Sequence, residues 1–218
     1  MNFQNRNNEL KVVISVGDES GIGPEIILKA LYSNEIPEKI DFILVGSRQN
    51  LQNTYEYLRS LGLENLANPK NLKIHDLEIS SSDNDPQSNY GNSSFQYLKK
   101  AIEIVKQYPN SALVTGPICK KSWSLAGHYF SGQTEVLAKS CRVKNFGMLF
   151  TARSPITGWR FNTLLATTHI ALSEVPKKLT KELIHSKLDL FKDFCITYTD
   201  RPTLKVAGLT LTLVKRVF

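Results

Sequence analysis

"VVISVGDESGIGPEIILKAL" occupies Val12 to Leu31, and its reading decides the fold. Val12–Gly17 is a β-branched run of the kind that forms a buried strand. Gly21 and Gly23 then make a tight turn. Pro24 suits a first helical position, and Glu25 is favourable beside a helix N-terminus. A strand feeding straight into a helix is half of a βα unit, and the rest of the chain repeats the pattern.

Working outward, "IDFILVGS" (Ile40–Ser47) reads as a second strand. It is followed by a helix over Asn50–Leu63, with Leu51, Tyr55 and Leu58 at helical spacing and Gly62 as its stop. Asn71–Ile79 reads as a third strand, and Ser80–Ser94 as a polar, turn-rich loop with no packing potential. Phe95, Leu98, Ile102 and Val105 stripe an amphipathic helix over Ser94–Tyr108. Ser111–Pro117 is a strand and turn, and Gly132–Cys141 opens a helix. Phe146–Ala152 and Asn162–His169 read as strands, Thr180–Cys195 as a long helix, and Thr203–Leu209 as a last strand. Strands alternating with helices imply α/β layers around a largely parallel sheet.

The chain has 218 residues, enough for one large or two small domains with a sizeable core. Its hydrophobic content of 41% and charged content of 22% are ordinary for a soluble protein. No apolar run approaches the ~18 residues of a membrane helix, and the polar start "MNFQNRNNELK" lacks a signal peptide's apolar stretch. Cys119, Cys141 and Cys195 have no metal-type spacing and read as reduced thiols, so a cytoplasmic location is expected. The net charge of +7 is spread along the chain, without the clustered basic and aromatic residues of a nucleic-acid stripe. It fits acidic small molecules instead, so neither nucleic acid nor membrane is expected as a partner.

Three stretches bear chemistry. Gly17–Glu25 is either a tight βα turn or an anion seat built from backbone N–H groups; it lacks the G-x-G-x-x-G spacing of a Rossmann fold. Lys120, just past the Gly116-Pro117 strand end, puts a cation where ligands of open α/β sheets bind, or is a solvated surface charge. Thr134, at a helix start after Gly132, offers a hydroxyl and an N–H to a phosphate, or is a plain cap. His169 emerges beyond an apolar strand, as a metal ligand or as a satisfied histidine; His75, His128 and His185 supply no partner of convincing spacing.

Taken together, "GDESGIGPE", "TGPICK", "LAGHYFSGQTE" and "ATTHIALSEVP", in that order, resemble the 4-hydroxythreonine-4-phosphate dehydrogenases of vitamin B6 biosynthesis. The resemblance runs from about Val12 to Leu209. It implies a two-lobed α/β/α fold like that of isocitrate and isopropylmalate dehydrogenases. It implies a homodimer that uses NAD and a divalent metal (zinc, magnesium or cobalt type) to oxidise 4-phosphooxy-L-threonine, whose β-keto acid then loses CO2. By position, His169 matches a metal ligand, Thr134 a substrate-contacting threonine, and Lys120 the lysine after the T-G-P turn, taken as catalytic. Gln133 stands where the family has a substrate-binding histidine; it keeps hydrogen bonding but loses a titratable group. No residue is assigned to NAD. Cys119 replaces a frequent Asn, Glu19-Ser20 replaces Pro-[AS], and a hairpin-like insertion is expected around Ser154–Trp159.

The family continues G-L-N-P-H-A-G-E, where this chain has Leu209 and then "TLTLVKRVF". Written as AAC CCT CAC GCT GGT GAA AAG GGT TTT and stripped of its first base, a coding of the family's continuation yields Thr210–Val217, and one further pyrimidine completes Phe218. The tail therefore reads as an out-of-frame version of a metal-binding loop, with Thr212 at the position of a ligand histidine. Residues 1–137 are expected to form a first lobe and 138–218 part of a second, with 210–218 the out-of-frame tail. A single imidazole binds metal weakly, so low or absent turnover is expected. Other readings are a related dehydrogenase for another hydroxy-acid phosphate or a dihydrodiol, and a non-catalytic phosphate-binding remnant.

Overall fold

The β-branched run near the N-terminus forms the central strand of a parallel sheet in this computed structural model, which describes residues 10–33, 35–37, 39–79 and 84–198. The expected strand Thr203–Leu209 and the tail 210–218 lie outside the described residues. The chain divides into two units, Met1–Cys141 and Arg142–Phe218. The division follows a helix that runs through position 137 to Cys141.

In the first unit β1 (Leu10–Ser15), α1 (Gly23–Ala30), β2 (Ile40–Gly46), α2 (Arg48–Ser60) and β3 (Ile74–Asp76) succeed one another. They are followed by α3 (Pro86–Val105), β4 (Ser111–Thr115), α4 (Lys120–Leu125) and α5 (Gln133–Cys141). The sheet order is β3-β2-β1-β4, all parallel, with Val13 beside Ile43 and Leu113 across the two ladders. Because alternate residues of a strand face opposite sides, the run is apolar on both. Ile14 and Leu44 pack with Ile27 and Leu28 of α1 and Leu51 and Leu58 of α2. Val13, Ile43 and Val45 meet Tyr97, Ala101 and Ile104 of α3 on the other face. A second stripe of α3, Phe95, Leu98 and Ile102, packs on Trp123 of α4 and Val136 of α5.

Two expectations need correction here. The stretch expected as a loop to Ser94 is helical from Pro86 onward, capped by Asp85, whose Oδ1 accepts from the Gln87 amide at 3.0 Å. Ser88, Gly91, Ser93 and Ser94 are buried in it. Small residues there let α4 approach closely, which a periodicity of large apolar residues does not reveal. The third strand shrinks to Ile74–Asp76, because Pro69–Asn71 forms a 3₁₀ turn ahead of it.

The second unit holds an antiparallel hairpin of β5 (Leu149–Arg153) and β6 (Arg160–Leu164), a 3₁₀ turn at Leu172–Glu174, α6 (Val175–Lys178) and α7 (Lys181–Tyr198). Ser154–Trp159 is the hairpin's turn, closed by the Ser154 amide donating to Trp159 O at 2.8 Å. Asn145 Nδ2 donates to Ser186 O at 3.0 Å and ties the approach to β5 onto α7. β6 ends at Leu164, so the apolar run that was expected to continue as strand to His169 leaves the ladder early.

Candidate functional site

The helices α1 and α2 cover one face of the sheet and α3 the other, so the winding reverses between β1 and β4. A crevice opens at such a switch point, beyond the carboxyl ends of the strands, and open α/β sheets bind ligands there. The loop after β1 and the loop after β4 meet at that point. The Asp18 amide donates to Pro117 O at 2.9 Å, and the Gly116 amide to Ser15 O at 2.7 Å. Gly17 has φ +84°, a conformation that side chains disfavour. A Cβ there would lie 2.3 Å from Pro117 O, so no other residue lets the two loops come so close.

Of the two readings of Gly17–Glu25, the geometry is that of the tight turn. Asp18, 6% exposed, turns its carboxylate inward, and Oδ1 accepts from the Ser20 amide at 2.9 Å and the Ser20 hydroxyl at 2.7 Å. Glu19 follows it into the structure and accepts the Tyr97 hydroxyl. Burial raises the Glu19 pKa above the usual carboxylate range, against the lowering pull of the bonds from Tyr97 and the Ser47 backbone. Burial, then Glu19, likewise raises the Tyr97 phenol above its ordinary value. A phosphate brought into this turn would meet two carboxylates, so the anion seat does not form here.

Lys120 is exposed and is the first residue of α4, a helix the sequence reading had not anticipated. Half-buried Cys119 precedes it. Gln133 and Thr134 open α5, and Gln133 Nε2 donates to Gly116 O at 2.8 Å. That bond pins the start of α5 to the end of β4, beside the switch point. It also commits one donor of Gln133 to the scaffold. Lys120 comes to the same place: a Cβ on Gly132 would lie 3.9 Å from Lys120 Nζ and 3.6 Å from Glu135 Oε2. Lys120, Gln133 and Thr134 are therefore one cluster within the first unit.

His169 belongs to the second unit. It is exposed, in a bend five residues past the end of β6, with φ +55°. Histidine adopts that left-handed region more readily than most residues. Among the described residues no three His, Cys, Asp or Glu side chains gather as a metal-holding group. His128 stacks on Phe95 at 3.8 Å between ring centres and lies 3.2 Å from Asn92 Oδ1 through Nε2. Burial lowers its pKa, and it serves as a packing residue.

The sequence reading missed Asp18, Glu19, Tyr97 and Glu135. Tyr97 lies off the Phe95, Leu98, Ile102 and Val105 stripe and has no local signal. Asp18, Glu19 and Glu135 stood inside quoted motifs, and acidic residues at such turns could have been weighed as site residues.

A family model described as "Pyridoxal phosphate biosynthetic protein PdxA" matches residues 38–210. The 4-hydroxythreonine-4-phosphate dehydrogenase of Synechococcus sp. (strain RCC307) is 46% identical over 201 residues, covering 91% of this chain and 60% of that protein. The enzyme of the same name from Nostoc sp. (strain PCC 7120 / SAG 25.82 / UTEX 2576) is 44% identical over 212 residues, covering 91% of this chain and 58% of that one. The crystal structure of 4-hydroxythreonine-4-phosphate dehydrogenase from Klebsiella pneumoniae superposes with a TM-score of 0.68 at 20% identity, covering 88% of this chain and 60% of that chain. The one from Burkholderia phymatum gives 0.67 at 19%, covering 87% and 59%. These structures share the mixed α/β fold, with its parallel sheet and flanking helices. The chain spans about 60% of the length of the curated relatives it matches. It belongs to the PdxA family of pyridoxal phosphate biosynthetic proteins.

Proposed function

We propose that this chain carries the first lobe and part of the second lobe of an NAD-dependent 4-hydroxythreonine-4-phosphate dehydrogenase of vitamin B6 biosynthesis. The substrate is 4-phosphooxy-L-threonine. The overall reaction takes the alcohol and NAD⁺ to the 3-keto acid, NADH and a proton, and the β-keto acid then loses CO2. The observation that carries the reading is the Gln133–Gly116 bond, which gathers Lys120, Gln133 and Thr134 at the carboxyl edge of the sheet.

In this reading Lys120 is the catalytic residue. Its ammonium sets a positive charge against the anionic substrate and holds a proton beside the reacting carbons. Thr134, in the first turn of α5, offers its hydroxyl to the substrate where the helix favours negative charge. Gln133 binds with the donor that remains after its bond to Gly116. NAD, when bound, supplies the hydride acceptor. In the turn after β1 the Asp18 carboxylate already takes the Ser20 amide, so that N–H is not free for its pyrophosphate. The described residues do not by themselves fit a divalent metal either, so no step is routed through one. His169 is proposed as one ligand of a site needing others. A homodimer and a cytoplasmic location complete the proposal; among the described residues no helix is long and apolar enough to cross a membrane.

The test is NAD reduction with 4-phosphooxy-L-threonine and added divalent metal. It compares this chain with a chimera whose residues after Leu209 are taken from the 46%-identical Synechococcus relative. Turnover by the chimera, abolished in Lys120→Ala, supports the reading; an inert chimera refutes it. Gln133 itself, which stands where the resemblance puts a histidine, favours a second reading, a relative acting on another hydroxy-acid phosphate. The same assay with such substrates separates the two.

A further inference from the structure

The hairpin of β5 and β6 has its polarity reversed. Paired residues of an antiparallel ladder share a face, and successive pairs alternate between faces. Leu149 opposite Leu164, Thr151 opposite Asn162 and Arg153 opposite Arg160 lie on one face. That face is the one turned to α7, since Leu164 and Leu190 of α7 meet over Gly147. Phe150 opposite Thr163 and Ala152 opposite Phe161 lie on the other. Trp159 continues it, with its ring 5.8 Å from that of Phe161 between centres. The rings thus sit on the face away from the unit's own helix, the opposite of a sheet with one face packed and one in water.

Phe150 is 55% exposed, Phe161 52%, Trp159 65% and Ile156, in the turn, 92%. At roughly 150–250 Å² for a whole aromatic side chain, the four leave about 500 Å² of apolar surface bare, as much as the largest patch of a typical monomer. A two-stranded hairpin is marginal by itself, and among the described residues no third strand joins either of its edges. A flat ladder face suits another protein surface rather than a small molecule, which needs a concave site. Aromatic rings are the anchors that interfaces concentrate, and rings already packed together are ordered before association. Two copies of this face set against each other about a twofold axis bury about 1,000 Å², the area at which specific interfaces begin.

We propose that two copies of this chain pair through the outer face of the β5–β6 hairpin, with Trp159 and Phe161 as the anchors. The inference rests on the homodimer proposed above and gives it a surface. Phe150 and Ile156 flank the anchors. Arg153 and Arg160, on the opposite face, stay in water, so the pairing brings no like charges together.

Sedimentation equilibrium of the 218-residue chain tests it, together with acrylamide quenching of tryptophan emission. The chain has two tryptophans, and Trp123 is wholly buried, so the quenchable emission is that of Trp159. The unaltered chain is expected to be a dimer at micromolar concentration, with quenching that rises as it is diluted into monomer. Trp159→Asp and Phe161→Asp are each expected to weaken the dimer at least about thirtyfold, the scale of one interface anchor. Far-UV circular dichroism shows that each variant stays folded, and the quenching series needs no variant. A dimer that survives both substitutions, or that forms while Trp159 stays as quenchable as before, overturns the surface and leaves the homodimer standing. A chain that is monomeric at every concentration overturns both. Neither measurement uses substrate or NAD.

Discussion

The indole N–H of Trp123 donates to the Ser94 hydroxyl at 2.8 Å, with both residues wholly buried. Ser94 in turn donates to Gly91 O at 3.0 Å, so a short polar chain is fully satisfied where α3 meets α4. Ser94→Ala strands the indole N–H and is expected to cost about 1–3 kcal/mol. Gly91→Ala puts a Cβ 1.9 Å from Ser122 O, forces the two helices apart and costs at least about 2 kcal/mol. Urea unfolding followed by tryptophan fluorescence measures both. A Gly91→Ala protein as stable as the parent would show that the helices are not so closely packed.

Gly17 is another point where backbone meets backbone. Gly17→Ala meets a disfavoured φ of +84° and the Pro117 carbonyl together. A loss of at least about 2 kcal/mol is expected, since the left-handed region alone costs side chains 1–2. An unchanged unfolding midpoint would refute this account of the switch point.

Glu19 gives the fold a dependence on pH. Burial raises its folded pKa above the unfolded value, so the stability it contributes is full below about pH 4.5 and is lost as pH rises through the folded value. Glu19→Gln does not titrate. Its stability relative to the parent should therefore improve between about pH 4 and pH 7, whatever the offset from the altered bond to Tyr97. Chemical denaturation at both pH values reads the difference, and a difference that stays flat or declines counts against it.

Asp41 behaves in the opposite sense. Lys11, its neighbour in the ladder at 2.6 Å, holds the Asp41 carboxyl below its usual value, helped by Lys73 at 3.1 Å. Stability from this pair is present above the unfolded pKa of about 4 and is lost as pH falls. The two side chains of the Lys11 pair are 22% and 24% exposed, so Asp41→Asn should cost no more than about 1 kcal/mol at neutral pH. That cost should shrink at about 1 M salt and fall as pH drops through the lowered folded value of Asp41. Thermal melts across the salt series check it; a cost insensitive to salt would point to packing rather than charge.

The sequence by itself determined the βα alternation, because runs such as Val12–Val16 and Phe42–Val45 are too apolar for any strand not covered on both faces. It also marked Lys120, Gln133, Thr134 and His169 through the order of four motifs, since each motif is local and survives as a string. Only the tertiary structure decided that polar Pro86–Ser94 is helix, because what selects it is the fit of small residues against α4, thirty residues away in the chain. The same holds for Glu19 against Tyr97 and Gln133 against Gly116. Each is a pairing of side chain or backbone across distant segments, and its energy depends on burial that exists only once the layers have closed.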